Sequence, residues 1–166
     1  MSEQFLRTIC LFENLNSEEF VEVVDIVRER TYRKGSIIIS EGNKNNDIYI
    51  LKEGKVKIYK SSNDSKDFIL SIKSNGSILS GSTLFSELPS PATIMTIENS
   101  IIYVIKSTDI EALIKSNSKL SINLIKFLNK ELQNALEKVK NMTLNDAYVR
   151  TAKLLLDLSD TFGILI

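Results

Sequence analysis

The stretch with the most chemistry in it is Ser80-Gly81-Ser82-Thr83-Leu84-Phe85-Ser86-Glu87-Leu88-Pro89-Ser90-Pro91-Ala92-Thr93. A glycine among hydroxyl residues leaves backbone N–H groups open to close approach, and such amides can hold an anion. Gly81–Thr83 therefore offers a place for an anion or a carboxylate. The loop lacks a cation, since neither Arg nor Lys occurs in it. An anion bound without one gives up a charge-assisted hydrogen bond, on the order of 1.5–3 kcal/mol. The surrounding side chains are apolar: Ile78, Leu79, Leu84, Phe85, Leu88, Pro91, Ala92 and Ile94, with Phe127 and Leu128 on a later helix able to join them. Such a lining suits haem, a fatty acyl chain or an aromatic molecule. It suits equally well a core that closes on itself.

The residue inventory removes whole classes of chemistry. The chain has no histidine and one cysteine, Cys10. The commonest metal ligand and near-neutral acid–base group is therefore missing, as are a histidine triad and a Cys–His nucleophile. One thiol cannot build a four-thiolate cluster or an internal disulfide, which fits a reducing cytoplasm. The reading is of a protein that is not an enzyme. If haem is bound, its axial ligand falls to Met95, Cys10, a Tyr or a chain terminus. Met95 sits in an alternating β segment, where methionine is more often core. Charge is balanced at 21 basic against 21 acidic residues in a chain of 166. A free-standing nucleic-acid binder would show a basic excess, so DNA contact is expected outside these residues. No apolar run reaches the length of a membrane span, and no membrane partner is expected.

These residues must be carried by elements that the pattern suggests in outline. Residues 3–13 read as a short helix. Asn16 or Ser17 caps the next, with Glu18 and Glu19 at its positive end. Phe20, Val21, Val24, Ile26 and Val27 then give a helical face to about Arg30. From Thr31 to Lys106 the pattern is β. Ile37–Ile39 is a buried run. Ile48 and Ile50, then Val56 and Ile58, alternate across a hairpin at Glu53-Gly54. Phe68, Leu70 and Ile72 alternate again beyond a polar tip at Ser61–Lys66. Asn75-Gly76 marks a turn, and Thr93–Ile105 supplies two segments broken at Glu98-Asn99-Ser100. The expectation is a mainly β fold with flanking helices, a double-sheet jelly roll of roughly eight strands.

A short helix, Asp109–Lys115, capped by Thr108, precedes a long one from Asn117 or Ser118 to about Asn141, roughly 35 Å in length. Ile125, Leu128, Leu132, Ala135, Val139 and Met142 recur on it at steps of three and four. That is a heptad seam for a second copy. A second apolar line, Leu120, Leu124, Phe127 and Leu136, flanks it. A wide intramolecular core face is the alternative, though a helix this long outruns a roll of this size. Asn145 or Asp146 caps a last helix, Ala147–Leu158.

The opening Leu11-Phe12-Glu13-Asn14-Leu15, the Lys34-Gly35…Gly42 stretch and the Ile48–Ile58 alternation resemble the β-roll of CRP/FNR-type transcription regulators. Leu136-Glu137-Lys138-Val139 and Arg150-Thr151-Ala152-Lys153-Leu154-Leu155-Leu156-Asp157-Leu158 resemble that family's dimer helix and the helix opening its DNA-binding domain. The resemblance covers essentially the whole chain. It implies a cyclic-nucleotide-binding-like sensor roll over residues 1–116, a dimerisation helix over 117–143, and over 144–166 the start of a DNA-binding domain whose helix-turn-helix is missing. Ile164-Leu165-Ile166 cannot form a recognition helix.

The resemblance also implies an effector pocket at Ile78, Leu79, Ser80, Gly81, Ser82, Leu84, Phe85, Pro91, Ala92 and Phe127. Relatives that bind cyclic nucleotides carry Phe-Gly-Glu, a spacer, then Arg-Ser/Thr-Ala, the Arg neutralising the phosphate. Here Gly81 and Ala92 fit. Ser82 stands for the carboxylate, Ser90 for the Arg and Pro91 for the hydroxyl residue, and the spacer is about two residues short. Ala135 and Leu136 replace the hydroxyls that cyclic-AMP sensors set against the base. Cyclic AMP is therefore disfavoured. The expectation is a bacterial, cytoplasmic homodimer that couples another effector to DNA binding. Two alternatives stand beside it: a ligand-free interaction and dimerisation module, and a haem-based NO or CO sensor. Lys52, Lys55, Lys57, Lys60 and Lys66 read as a solvated hairpin edge, with contact to RNA polymerase as a second reading. An enzyme on a cupin-like roll loses its usual metal site with the histidines.

Overall fold

Asn16 starts the first long helix by a reciprocal pair of bonds: its Oδ1 accepts from the Glu19 N–H at 2.9 Å, and Glu19 Oε2 accepts from the Asn16 N–H at 2.7 Å. This capping box satisfies two otherwise orphaned donors. In the computed structural model, which describes residues 2–44, 46–61, 67–80, 85, 88–144, 149, 151, 152, 155, 156 and 159, the order begins with helix α1 (Glu3–Arg7), a 3-10 turn (Cys10–Phe12) and helix α2 (Ser17–Ile26). Seven strands follow among the described residues: β1 (Val27–Tyr32), β2 (Ile37–Ile39), β3 (Ile48–Glu53), β4 (Val56–Ser61), β5 (Asp67–Lys73), β6 (Thr93–Thr96) and β7 (Ser100–Ile105). Helices α3 (Ser107–Ser116) and α4 (Ser118–Leu144) come next.

The strands form two antiparallel sheets, one of order β1-β7-β3 and one of order β2-β6-β4-β5. Side-chain alternation sorts their residues. Tyr49, Leu51, Ile102 and Val104 of the first sheet meet Ile39, Val56 and Ile94 of the second, with Leu79, in one buried cluster. Ile48, Ile50, Tyr103 and Ile105 point to the other side of the first sheet and are buried as well. The N-terminal segment covers Tyr103 there. The Phe5 ring meets the Tyr103 ring edge-on at 5.8 Å, and the Ser2 N–H donates to Tyr103 Oη at 2.8 Å. Both faces of Ile48–Leu51 and Ile102–Ile105 are therefore dry, which explains why these stretches are apolar at every position.

Three sequence expectations are corrected. The helix expected to reach Arg30 ends at Ile26, and Val27–Tyr32 is strand β1, paired with β7 from Val27↔Ile105 to Tyr32↔Ser100. The apolar steps up to Val27 fit a helix, but Val27 takes extended dihedrals and its successors gain a ladder. Val21, placed on the apolar face of that helix, is exposed; Phe20 and Val23 are the buried pair. The hairpin expected at Glu53-Gly54 is a corner, because β3 and β4 lie in different sheets. Gly54 has φ +102°, and a Cβ on it would stand 2.8 Å from the Asn99 carbonyl oxygen and 2.9 Å from Ser100 Cα.

The molecule divides into two units, Met1–Ile125 and Lys126–Ile166. The first holds the sheets and α1–α3 with the opening of α4. Asn117 Oδ1 accepts from the N–H groups of Lys119 and Leu120, as a helix cap should. Asn123, buried on α4, donates from Nδ2 to the carbonyls of Leu11 at 3.2 Å and Glu13 at 2.9 Å. The second unit is helical at every residue described in it. The cap expected at Asn145 or Asp146 lies outside the described residues. Among the described residues no helix is long and apolar enough to cross a membrane.

Candidate functional site

The segment entering the candidate loop is laid along β3. The Gly76 N–H donates to the Leu51 carbonyl at 2.7 Å, the Leu51 N–H to the Ser77 carbonyl at 2.9 Å, and the Leu79 N–H to the Tyr49 carbonyl at 2.7 Å. Side chains then alternate. Ile78 pairs with Ile50 through an isolated bridge and shares its face, turned away from the inner cluster. Leu79 takes the inner face, beside Ile94. Ser80, buried, donates from Oγ to the Asp47 carbonyl at 2.7 Å and accepts from the Tyr49 N–H at 3.1 Å. Its hydroxyl fastens the loop's entry to the start of β3.

Asp47 fastens a second element. Its carboxylate, 8% exposed, accepts from Lys106 Nζ at 2.9 Å and from the Ser107 N–H at 3.1 Å. It thereby supplies the cap of α3. Thr108, expected in that role, lies inside the helix, and Lys106 at the cap position makes no side-chain capping bond. The loop's exit is held as firmly. The Ser90 N–H donates to the Asn43 carbonyl at 2.8 Å, and the Gly42 N–H donates to the Ser90 carbonyl at 2.9 Å. Ser90 Oγ donates to the Ala92 carbonyl at 2.8 Å. The Glu41 N–H donates to Thr93 Oγ1 at 3.0 Å.

The structure brings part of the expected pocket together. Leu79, Ser80 and Ala92 are buried at the loop's anchored ends, and Leu79 and Ile94 share the inner cluster. Pro91 and Phe85 are exposed, and Phe85 holds φ +60°, an uncommon conformation for a bulky residue. Phe127 is half-buried. Gly81, Ser82 and Leu84 lie outside the described residues. Met95 and Cys10, weighed as haem ligands, both stand outside the roll's interior. Met95 opposes Lys57 on the outer side of its sheet, while its neighbours Ile94 and Thr96 are the buried ones. Cys10 is exposed. Among the described residues no cluster of His, Cys, Asp or Glu could hold a metal ion.

Lys52, Lys57 and Lys60 are engaged, while Lys66 lies outside the described residues. Lys52 Nζ lies 2.9 Å from Glu29 Oε2, Lys57 Nζ 2.7 Å from Asp67 Oδ2, and Lys60 Nζ 3.0 Å from Glu41 Oε1. The hydrogen bond from Lys52 holds the Glu29 carboxyl below its ordinary range, and the same bond raises the lysine. The Lys57 bond lowers Asp67. On α4, Leu120 and Leu124 are buried. Leu136, placed with them on sequence grounds, is exposed, as are Ile125, Leu128, Leu132, Ala135 and Val139 of the expected seam. Nothing is described of the Met142 side chain.

Sequence reasoning missed Asp47, Asn43 and Asn123. Asn123 carried a signal, a lone amide in the buried stripe of Leu120 and Leu124. Asp47 and Asn43 carried none, since their partners lie far along the chain.

Comparison with known proteins places this geometry. The cyclic nucleotide-binding domain family matches residues 29–117. The chain is 24% identical over 153 residues to the anaerobic regulatory protein of Bacillus subtilis, covering 91% of this chain and 64% of that protein. It is 30% identical over 99 residues to human cGMP-dependent protein kinase 2, covering 58% of this chain but only 13% of the kinase's length. Among solved structures, the sensor domain of the transcriptional regulator DNR from Pseudomonas aeruginosa superposes with a TM-score of 0.71 at 21% identity, over 87% of this chain and 95% of that one. The chain thus belongs to the cyclic nucleotide-binding domain family, and its roll is followed in sequence by a long helix, a fold like that of the solved CRP/FNR-type regulators.

Proposed function

We propose that this chain is the sensor and pairing half of a bacterial, cytoplasmic CRP/FNR-like transcription regulator, and that its effector is not a cyclic nucleotide. The observation that carries the second part is Ser90. It occupies the position where the resemblance puts the phosphate-neutralising arginine, and its hydroxyl is spent on the Ala92 carbonyl. Its backbone N–H and carbonyl are spent on residues 42 and 43. A cyclic phosphate here meets a loop, residues 80–93, whose own sequence holds neither Arg nor Lys. The effector fitting the inner cluster is uncharged or apolar. Two copies pair through the exposed apolar stripe of α4, and effector binding shifts the paired helices. DNA binding rests with a helix-turn-helix domain outside residues 1–166.

A second reading is favoured by the cluster itself. Leu51, Val56 and Ile102 are 0% exposed, and Leu79 and Ile94 are nearly so. A roll this closed also suits a ligand-free interaction module, regulated by abundance or a protein partner.

The test is a thermal-shift panel on the purified chain with cyclic AMP, cyclic GMP, haem, and a set of apolar acids and aromatic molecules. A ligand at 100 times its dissociation constant adds about 2.7 kcal/mol. The expected result is no shift with either cyclic nucleotide and a shift with one apolar compound. A shift with cyclic AMP overturns the effector reading. Silence from the whole panel transfers the reading to the interaction module.

A further inference from the structure

Helix α4 carries two stripes. Leu120, Asn123 and Leu124 are buried. Its most exposed large apolar residues are Ile122 (51%), Ile125 (58%), Leu132 (58%), Leu136 (60%) and Val139 (58%). At 100° per residue the second stripe is centred roughly 150° around the helix from the first. Its members fall on one heptad: Ile122 and Leu136 take the a positions, and Ile125, Leu132 and Val139 take d. The a position between Ile122 and Leu136 is Asn129, which is exposed. Leu128 is less exposed, at 39%, and flanks this stripe rather than leading it.

We infer that Asn129 is the specificity-determining residue of a self-pairing seam, in which it faces Asn129 of a second copy and fixes the two α4 helices parallel and in register. This rests on the proposed pairing and refines it, since it turns the seam away from Leu128 and Ala135 toward Ile122 and Leu136. The occupant is a second copy because of the periodicity. A strict seven-residue recurrence from 122 to 139 is the pattern by which a helix interlocks with another of equal period, knob into hole. An exposed apolar stripe of this length is not left to solvent. The asparagine supplies what the apolar residues do not. Any register that slides the copies by a heptad, or runs them antiparallel about another centre, sets an amide against Ile or Leu with its donors and acceptors unpaired. Among parallel registers, only the in-register pair lets the two amides bond each other. β-Branched and leucine neighbours would pair in several ways without it.

The test combines sedimentation of the unmodified chain with oxidative crosslinking of the full chain carrying Cys10→Ser and either Asn129→Cys or Leu128→Cys. Residues at a face their own symmetry mate within disulfide reach; flanking residues do not. The expected result is a dimer in solution, with disulfide formed at least roughly tenfold faster at position 129 than at 128. Asn129→Val is expected to raise the melting midpoint while adding species larger than dimers. A dimer that crosslinks at 128 and not at 129 overturns this inference and leaves the pairing intact. A chain that sediments as a monomer at tens of micromolar overturns both.

Discussion

Ser80 and Asp47 are joined by a hydrogen bond of 2.7 Å between the serine hydroxyl and the aspartate's backbone carbonyl, across 33 residues of sequence. The same hydroxyl accepts from the Tyr49 N–H. Ser80→Ala therefore removes two hydrogen bonds from a buried place. The expected loss is about 1–3 kcal/mol of stability, read from urea unfolding. Ser80→Thr keeps the hydroxyl and is expected to lose less. A stability unchanged by Ser80→Ala would mean that the loop's entry is not fastened there.

Gly54 and Gly76 offer a matched pair. Both hold positive φ, +102° and +84°. A Cβ on Gly76 meets nothing within 4 Å, whereas one on Gly54 collides with Ser100 Oγ and stands 2.8 Å from the Asn99 carbonyl oxygen. Gly76→Ala is expected to cost about 1–2 kcal/mol, the conformational term alone. Gly54→Ala must also displace the Asn99–Ser100 backbone at the start of β7 and is expected to cost clearly more. Equal melting midpoints for the two variants would remove the close-approach argument.

That corner also marks a limit of what the sequence disclosed. Turns at Gly54 and Gly76 were legible, and so was a cap at Asn117 or Ser118, because each acts on its own neighbours. The backbone that crowds the corner at Gly54 is that of Asn99 and Ser100, and Ser100 lies 46 positions later (100 − 54), beyond the reach of a local pattern. The end of α2 was hidden for a similar reason. Val27 fits a helical face, but its pairing with Ile105 outweighs that local pattern. In the candidate site, the apolar residues and the missing arginine were legible. The use of Ser80 and Ser90 as fasteners was not, since a hydroxyl announces no partner.

Asn123 ties the opening of α4 to the 3-10 turn and its exit through two carbonyls, those of Leu11 and Glu13. Asn123→Ala leaves both acceptors unfilled in a buried place, for an expected loss of about 1–3 kcal/mol. The readout that separates this from general weakening is hydrogen exchange. Amides of α1 and residues 9–15 are expected to lose protection before those of β3 and β7. Uniform loss across the sheets would argue against a local tether.

Leu132 tests the pairing of copies independently of its register, because both heptad assignments place it in the seam. It is 58% exposed in the single chain, so Leu132→Glu is expected to leave folding intact. Within a pair it would bury two unpaired carboxylates, each costing about 2 kcal/mol or more. Sedimentation is expected to show a monomer with an unchanged unfolding midpoint at low concentration. A variant that still sediments as the unmodified chain does would remove α4 as the interface.

The titration of stability follows from which groups are shifted and which are missing. Glu19 is held below the ordinary glutamate range, first by the hydrogen bond from the Asn16 N–H and then by Lys119. Glu29 is lowered by its bond from Lys52, and Asp67 by its bond from Lys57. A depressed carboxyl stabilises the fold above its unfolded value, about 3.9 for Asp and 4.3 for Glu, and loses that contribution as pH falls through the folded value. Lys52 is raised by its bond to Glu29. Its contribution is complete below about 10.4 and is lost only as pH rises through the higher folded value. With no histidine in the chain, no side chain of ordinary pKa changes charge between about pH 5 and 8. Urea midpoints are therefore expected to be flat from about pH 5.5 to 8 and to fall below about pH 4.5, by a small amount, because all three carboxylates are near the surface. Replacing Glu19 by Gln is expected to shrink the acid step while leaving the plateau flat. A midpoint that rises on acidification, or a step near pH 6.5, would contradict the assignment of these three pairs as the acid-sensitive contacts.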